Sequence, residues 1–170
     1  MSFDFDKIID RKGSACIKWD GMEKFLGSAD ALPMWVADMA FLTPAYITEA
    51  IALKASHGVF GYPMREDGYF TSQMQWLQRR HQWNVERDWI TFCPGVVPAV
   101  NIAVLANTLP GDKIIVQPPV YFPFFTAVTD HKRNLVYNNL VLRDGRLCMD
   151  FDNLETLAAD GAKMLILSNP

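Results

Sequence analysis

From Trp89 to Ser168 the chain alternates short apolar runs with stretches of helical length: "WITFC", "VVPAVNIAVLANTL", "KIIVQ", "NLVYNNLVL", "MDFDNLETLAADG" and "KMLILS". Strands that alternate with helices pair in parallel and need helical cover on both faces. The expected fold is therefore α/β, with a mixed, mostly parallel sheet covered by helices. "WITFC", "KIIVQ", "NLVYNNLVL" and "KMLILS" are the expected strands. Before this region, "PAYITEAIALKAS" predicts a helix with Thr43 as N-cap and Pro44 in the first turn. "EDGYFTSQMQWLQRRHQW" predicts a second, with Phe70, Met74 and Leu77 on one stripe. Residues 1–44 carry Gly13, Gly21, Gly27 and Pro33 without sustained periodicity and read as an irregular arm. Residues 45–170 read as the body of the α/β domain. The last apolar run is followed only by Asn169 and Pro170, so the sheet is expected to be unfinished and the chain a fragment.

Two strand exits carry the chemistry. After "KIIV" comes "QPPVYFPFF", in which Pro118 and Pro119 end the ladder and stiffen the turn that presents Tyr121. Ligands of open α/β sheets bind beyond the carboxyl ends of the strands, so Tyr121 is either a packing aromatic or a plate for a flat ligand. After "WITFC", Pro94 and Gly95 take the chain tightly into a helix. The free N–H groups of Val96 and Val97 at that helix start suit an anion such as a phosphate. Together the two exits fit a phosphorylated planar heterocycle.

Composition excludes other classes. Half of the residues are apolar and the net charge is −3, with basic residues scattered singly, so nucleic acid is not an expected partner. The amino terminus has no apolar segment of the signal type and no long uncharged run occurs, so no membrane association is expected and a cytoplasmic location is. Cys16, Cys93 and Cys148 are widely spaced, as are His57, His81 and His131, which gives neither a disulfide framework nor a metal site.

Five blocks resemble, in order and spacing, pyridoxal-phosphate enzymes of fold type I, most nearly the branch of MalY/PatB-type cystathionine β-lyases. They are "LPMWVADMAF", "HGVFGYP", "CPGVVPAV", "PPVYFPF" and "LILSNP". The resemblance implies that residues 45–170 are the first part of the cofactor-binding large domain and residues 1–44 an arm or part of the small domain. It implies pyridoxal 5'-phosphate as cofactor, with Tyr121 stacked on the pyridine ring and Gly95, Val96 and Val97 at the phosphate. Tyr62 is similar to the tyrosine that reaches the phosphate of the neighbouring subunit, which implies a homodimer with shared sites. Trp35 and Asp38 resemble residues bordering the amino-acid substrate; Ala40 stands where members often carry an acid. No catalytic residue is expected within the chain, because the Schiff-base lysine of the family would lie beyond Pro170. The eight lysines present read as solvated. The implied reaction of the full-length protein is carbon–sulfur β-elimination from sulfur-containing amino acids. Transamination by the same fold and a noncatalytic fragment that binds a partner are the alternatives.

Overall fold

A computed structural model describes residues 4–169. The described residues form two compact units that divide between Met64 and Arg65.

In the first unit, two short helices, α1 (Ile17–Asp20) and α2 (Met22–Leu26), precede α3 (Ala45–Ser56). The segment expected to be an irregular arm thus contains helix. Gly21 joins α1 to α2 in a right-handed conformation, and Gly27 ends α2 at φ 71°, a left-handed value that costs glycine little. Pro44, not Thr43, is the N-cap of α3, and no side chain caps that end. Met22 and Pro33 are buried, and Phe25 lies 5.7 Å from Trp35.

The second unit begins with α4 (Asp67–His81) and a 3-10 turn (Arg87–Trp89). Phe70, Met74 and Leu77 are the partly buried stripe of α4, and the Arg87 guanidinium lies 4.2 Å from the Phe70 ring. Then follow α5 (Val96–Asn107), β1 (Lys113–Val116), α6 (Pro123–Thr129), β2 (Asn134–Tyr137), β3 (Val141–Arg143), β4 (Arg146–Cys148), α7 (Phe151–Ala159) and β5 (Met164–Ile166). The sheet order is β2-β1-β5, parallel throughout, with Val116 opposite Tyr137 on one side and Ile166 on the other. β1 is central and its Ile114, Ile115 and Val116 are all buried, as the continuous apolar run of an internal parallel strand requires. Val104 of α5 and Phe124 and Val128 of α6 pack on Ile114, Val116 and Ile166 to form the core.

Two expected strands are corrected. Ile90–Cys93 is extended at Ile90 but joins no ladder among the described residues, and Trp89 belongs to the 3-10 turn. "NLVYNNLVL" is two strands in different sheets: β2 belongs to the parallel sheet, while β3 turns away to pair antiparallel with β4. The reason is local. Asn138 is fully buried and bonded by its side chain, which interrupts the run. Asp144 (φ 50°) and Gly145 (φ 75°) then make the doubly left-handed turn that suits a tight hairpin. α7 forms within the helical-length stretch "MDFDNLETLAADG", and its cap is Asp150, whose side chain accepts from the Asn153 N–H at 3.2 Å. Among the described residues no helix is long and apolar enough to cross a membrane.

Candidate active site

The edge formed by the carboxyl ends of β1 and β5 opens into a cleft of about 690 Å³ lined by Gln117, Val120, Tyr121, Leu140, Leu147 and Met149 with the residues that follow β5. Three local features build it. β1 ends at the Pro118–Pro119 pair, whose peptide bond is cis, and the chain exits to Tyr121. The β3–β4 hairpin supplies Leu147. β5 leads into Leu167, Ser168 and Asn169. Tyr121 is 56 % exposed; its ring meets Phe124 edge-on at 6.0 Å and lies 5.3 Å from Phe122. Phe124 is a core residue, so the phenol is braced from within while more than half of it stays accessible.

α5 packs on the core through Val104 and leads to β1 through residues 108–112; Gly95, Val96 and Val97 at its start are not among the residues that line the cleft. Gly95 precedes it at φ 152° and ψ 165°, a conformation open in practice only to glycine. The first turn has a restricted donor set. Pro98 carries no N–H, and the Ala99 N–H is used by the Gly95 carbonyl at 3.1 Å, which leaves Val96 and Val97. No acidic residue sits in that turn to compete with a bound anion. The residues present therefore suit a phosphate on two backbone amides and a flat ring on Tyr121.

The other expected site residues lie in the first unit. Tyr62 is wholly exposed, in the segment that follows α3. Asp38 receives the Arg11 guanidinium at 2.5 Å on Oδ2 and the Lys18 ammonium at 3.0 Å on Oδ1. Arg11 also donates to Cys16 Sγ at 2.8 Å and to the Met39 carbonyl at 3.3 Å. The Trp35 Nε1–H donates to the Lys18 carbonyl at 3.1 Å. Lys18 is thus a largely buried, ion-paired lysine rather than a solvated one, its side chain only 14 % exposed. The same contacts engage the carboxylate of Asp38 and the indole N–H of Trp35 within their own unit.

Hydrogen bonds from Arg11, then from Lys18, hold the Asp38 carboxyl well below the usual carboxylate range. A depressed folded-state value makes Asp38 a source of stability that is present above its unfolded value of about 3.8 and lost as the pH falls below it. Replacing Asp38 by Asn should therefore lower the unfolding midpoint of the first unit at neutral pH and flatten its decline at acid pH. Parallel acid denaturation curves for the two proteins would contradict this.

Sequence reasoning missed the β3–β4 hairpin wall of the cleft, although "RDGR" carries the Asp-Gly signal for it. It also missed Asn138 and Arg133, for which no local pattern exists.

No protein-family model matches the chain. It is 45 % identical over 167 residues to cystathionine beta-lyase PatB of Bacillus subtilis, covering 98 % of this chain and 43 % of that protein. The chain is thus similar, over nearly its whole length, to the first part of a cystathionine beta-lyase of this type. It is 30 % identical to the protein MalY of Escherichia coli, covering 99 % of this chain and 44 % of MalY. Among solved structures, cystalysin from Treponema denticola, which contains a pyridoxal 5'-phosphate cofactor, superposes with a TM-score of 0.87 at 36 % identity over 97 % of this chain and 43 % of that one. The pyridoxal-phosphate-bound C-S lyase from Staphylococcus hominis gives 0.89 at 27 % identity, over 100 % of this chain and 44 % of that one. The chain thus spans less than half the length of these relatives, and its α/β fold is the corresponding part of theirs.

Proposed function

We propose that the full-length protein is a pyridoxal-phosphate-dependent carbon–sulfur β-lyase that acts on sulfur-containing amino acids in the cytoplasm, as a homodimer with shared sites. What supports this reading is the presence in the second unit of unbonded Val96 and Val97 amides at the start of α5 and of a braced, exposed Tyr121 ring beyond β1. When bound, the cofactor supplies an electron sink for loss of the substrate α-proton and departure of a thiol from Cβ. The residues of this chain bind and orient. Gly95 lets the backbone approach the phosphate, Val96 and Val97 donate to it, and Tyr121 fixes the plane of the ring. Tyr62, unencumbered in its own unit, reaches the phosphate of a second subunit. Trp35 and Asp38 border the substrate through the segment they stabilise.

The 45 % identity to the cystathionine beta-lyase PatB supports elimination over transamination, which the same residues could also serve. Incubating the full-length protein with cystathionine should release pyruvate and ammonia without any added 2-oxo acid. A strict requirement for a 2-oxo acceptor would overturn the lyase reading. Tyr121→Ala should weaken pyridoxal-phosphate binding by about 1–3 kcal/mol, and Tyr121→Phe should restore most of it, since the ring and not the hydroxyl makes the stack. Equal affinity of the Ala variant and the parent would reduce Tyr121 to a packing residue.

A further inference from the structure

β1 and β2 end side by side, and the two residues that follow them, Gln117 and Asn138, are both buried amides. Gln117 Nε2 donates to Asn138 Oδ1 at 2.7 Å. Asn138 Nδ2 donates to the Asp150 carbonyl at 2.8 Å and to Asn153 Oδ1 at 2.9 Å, at the start of α7. Its backbone N–H donates to the Val116 carbonyl at 3.0 Å, and the Leu140 N–H to the Pro118 carbonyl at 2.8 Å. Asn138 is completely inaccessible, yet its side-chain oxygen and both side-chain hydrogens have partners.

A buried amide of this kind costs desolvation that an apolar residue would avoid, and what it returns is a unique geometry. Here that geometry is the exit of β1. The prolines at 118 and 119 have no N–H, so neither can donate a backbone bond that ties this exit. The Asn138 N–H takes the Val116 carbonyl at the end of β1, the Leu140 N–H takes the Pro118 carbonyl, and the Asn138 side chain takes that of Gln117. The segment so tied is the one that presents Tyr121, and Gln117, Leu140 and Tyr121 line the same cleft.

We propose that Asn138 is a positioning residue that holds Tyr121 in place for the cofactor ring, by clamping the Gln117–Pro119 turn to β2 and to the start of α7. This rests on the reading of Tyr121 as the plate for that ring.

The test is a double-mutant cycle in the full-length protein, with pyridoxal 5'-phosphate as the probe and its dissociation constant, from equilibrium titration, as the readout. Asn138→Ala should weaken binding about tenfold when Tyr121 is present and less than about twofold in the Tyr121→Ala background, because contacting residues that act as a unit are coupled. Gln117→Leu keeps the volume, removes one arm of the clamp and should show the same pattern at smaller size. It carries the test if Asn138→Ala fails to fold. The same weakening with and without Tyr121 would show that Asn138 serves the fold alone and would overturn the proposal. Failure of the unsubstituted protein to bind the probe would overturn the cofactor reading as well. Binding by the parent with additive losses would overturn only the role of Asn138.

Discussion

Replacing Arg133 by Met should lower the stability of the second unit by about 2–4 kcal/mol, the cost of stranding several buried acceptors. Arg133 is buried, and no carboxylate faces it in the contacts described. It donates through Nε to Thr108 Oγ1 at 3.0 Å, through Nη2 to the Thr108 carbonyl and through Nη1 to the His131 carbonyl at 2.6 Å. Thr108 in turn donates its hydroxyl to the Val104 carbonyl at 2.6 Å. The guanidinium therefore closes the carboxyl end of α5, where the helix itself supplies no basic residue and a positive charge is favoured by the aligned peptide dipoles. Arg133→Lys keeps the charge but loses the planar fork, so it should fall between the two. Urea unfolding followed through the second unit measures the effect, and an unchanged midpoint for the Met variant would refute it.

A second large effect is expected at the proposed dimer. A full-length variant without the Schiff-base lysine and another with Tyr62→Phe should each be impaired. After reversible dissociation and mixing, random pairing restores one complete site in each mixed dimer. Activity per site should then recover to about a quarter of the parental value, as two-fold symmetry dictates. Tyr62 is suited to this because nothing in its own unit covers it. If mixed dimers form and activity stays at the level of the Tyr62→Phe protein, Tyr62 is an ordinary turn aromatic.

Periodicity revealed those parts of the fold in which each residue reports its own environment. β1 is uniformly apolar because it is buried on both sides, and α7 begins at an acid that caps it. The errors arose where a distant partner decides the outcome. Ile90–Cys93 has the composition of a strand but no ladder partner among the described residues. Tyr137 and Val141 look like one strand until the buried amide between them is seen to face Gln117 and Asn153. Lys18 resembles any surface lysine, and only the folded first unit brings Asp38 to it across intervening sequence. Gly95, Val96 and Val97 could be singled out by the Pro-Gly turn that precedes a helix, and Tyr121 by the prolines that follow β1. Arg133 could not, because its partners are carbonyls, which every residue has.

The central place of β1 also has a consequence for how the sheet comes together. Its register partners in β2 lie a short way along the chain, whereas those in β5 lie more than twice as far. Closing the longer span costs roughly 0.6–1 kcal/mol more in chain entropy, since the penalty rises only with the logarithm of loop length. That margin is less than the burial of a single isoleucine contributes, and Ile166 of β5 is 8 % exposed in the core. The β1–β2 ladder is thus the one favoured by proximity along the chain, and the β1–β5 ladder is secured by the side chain that fills the space beside Val116.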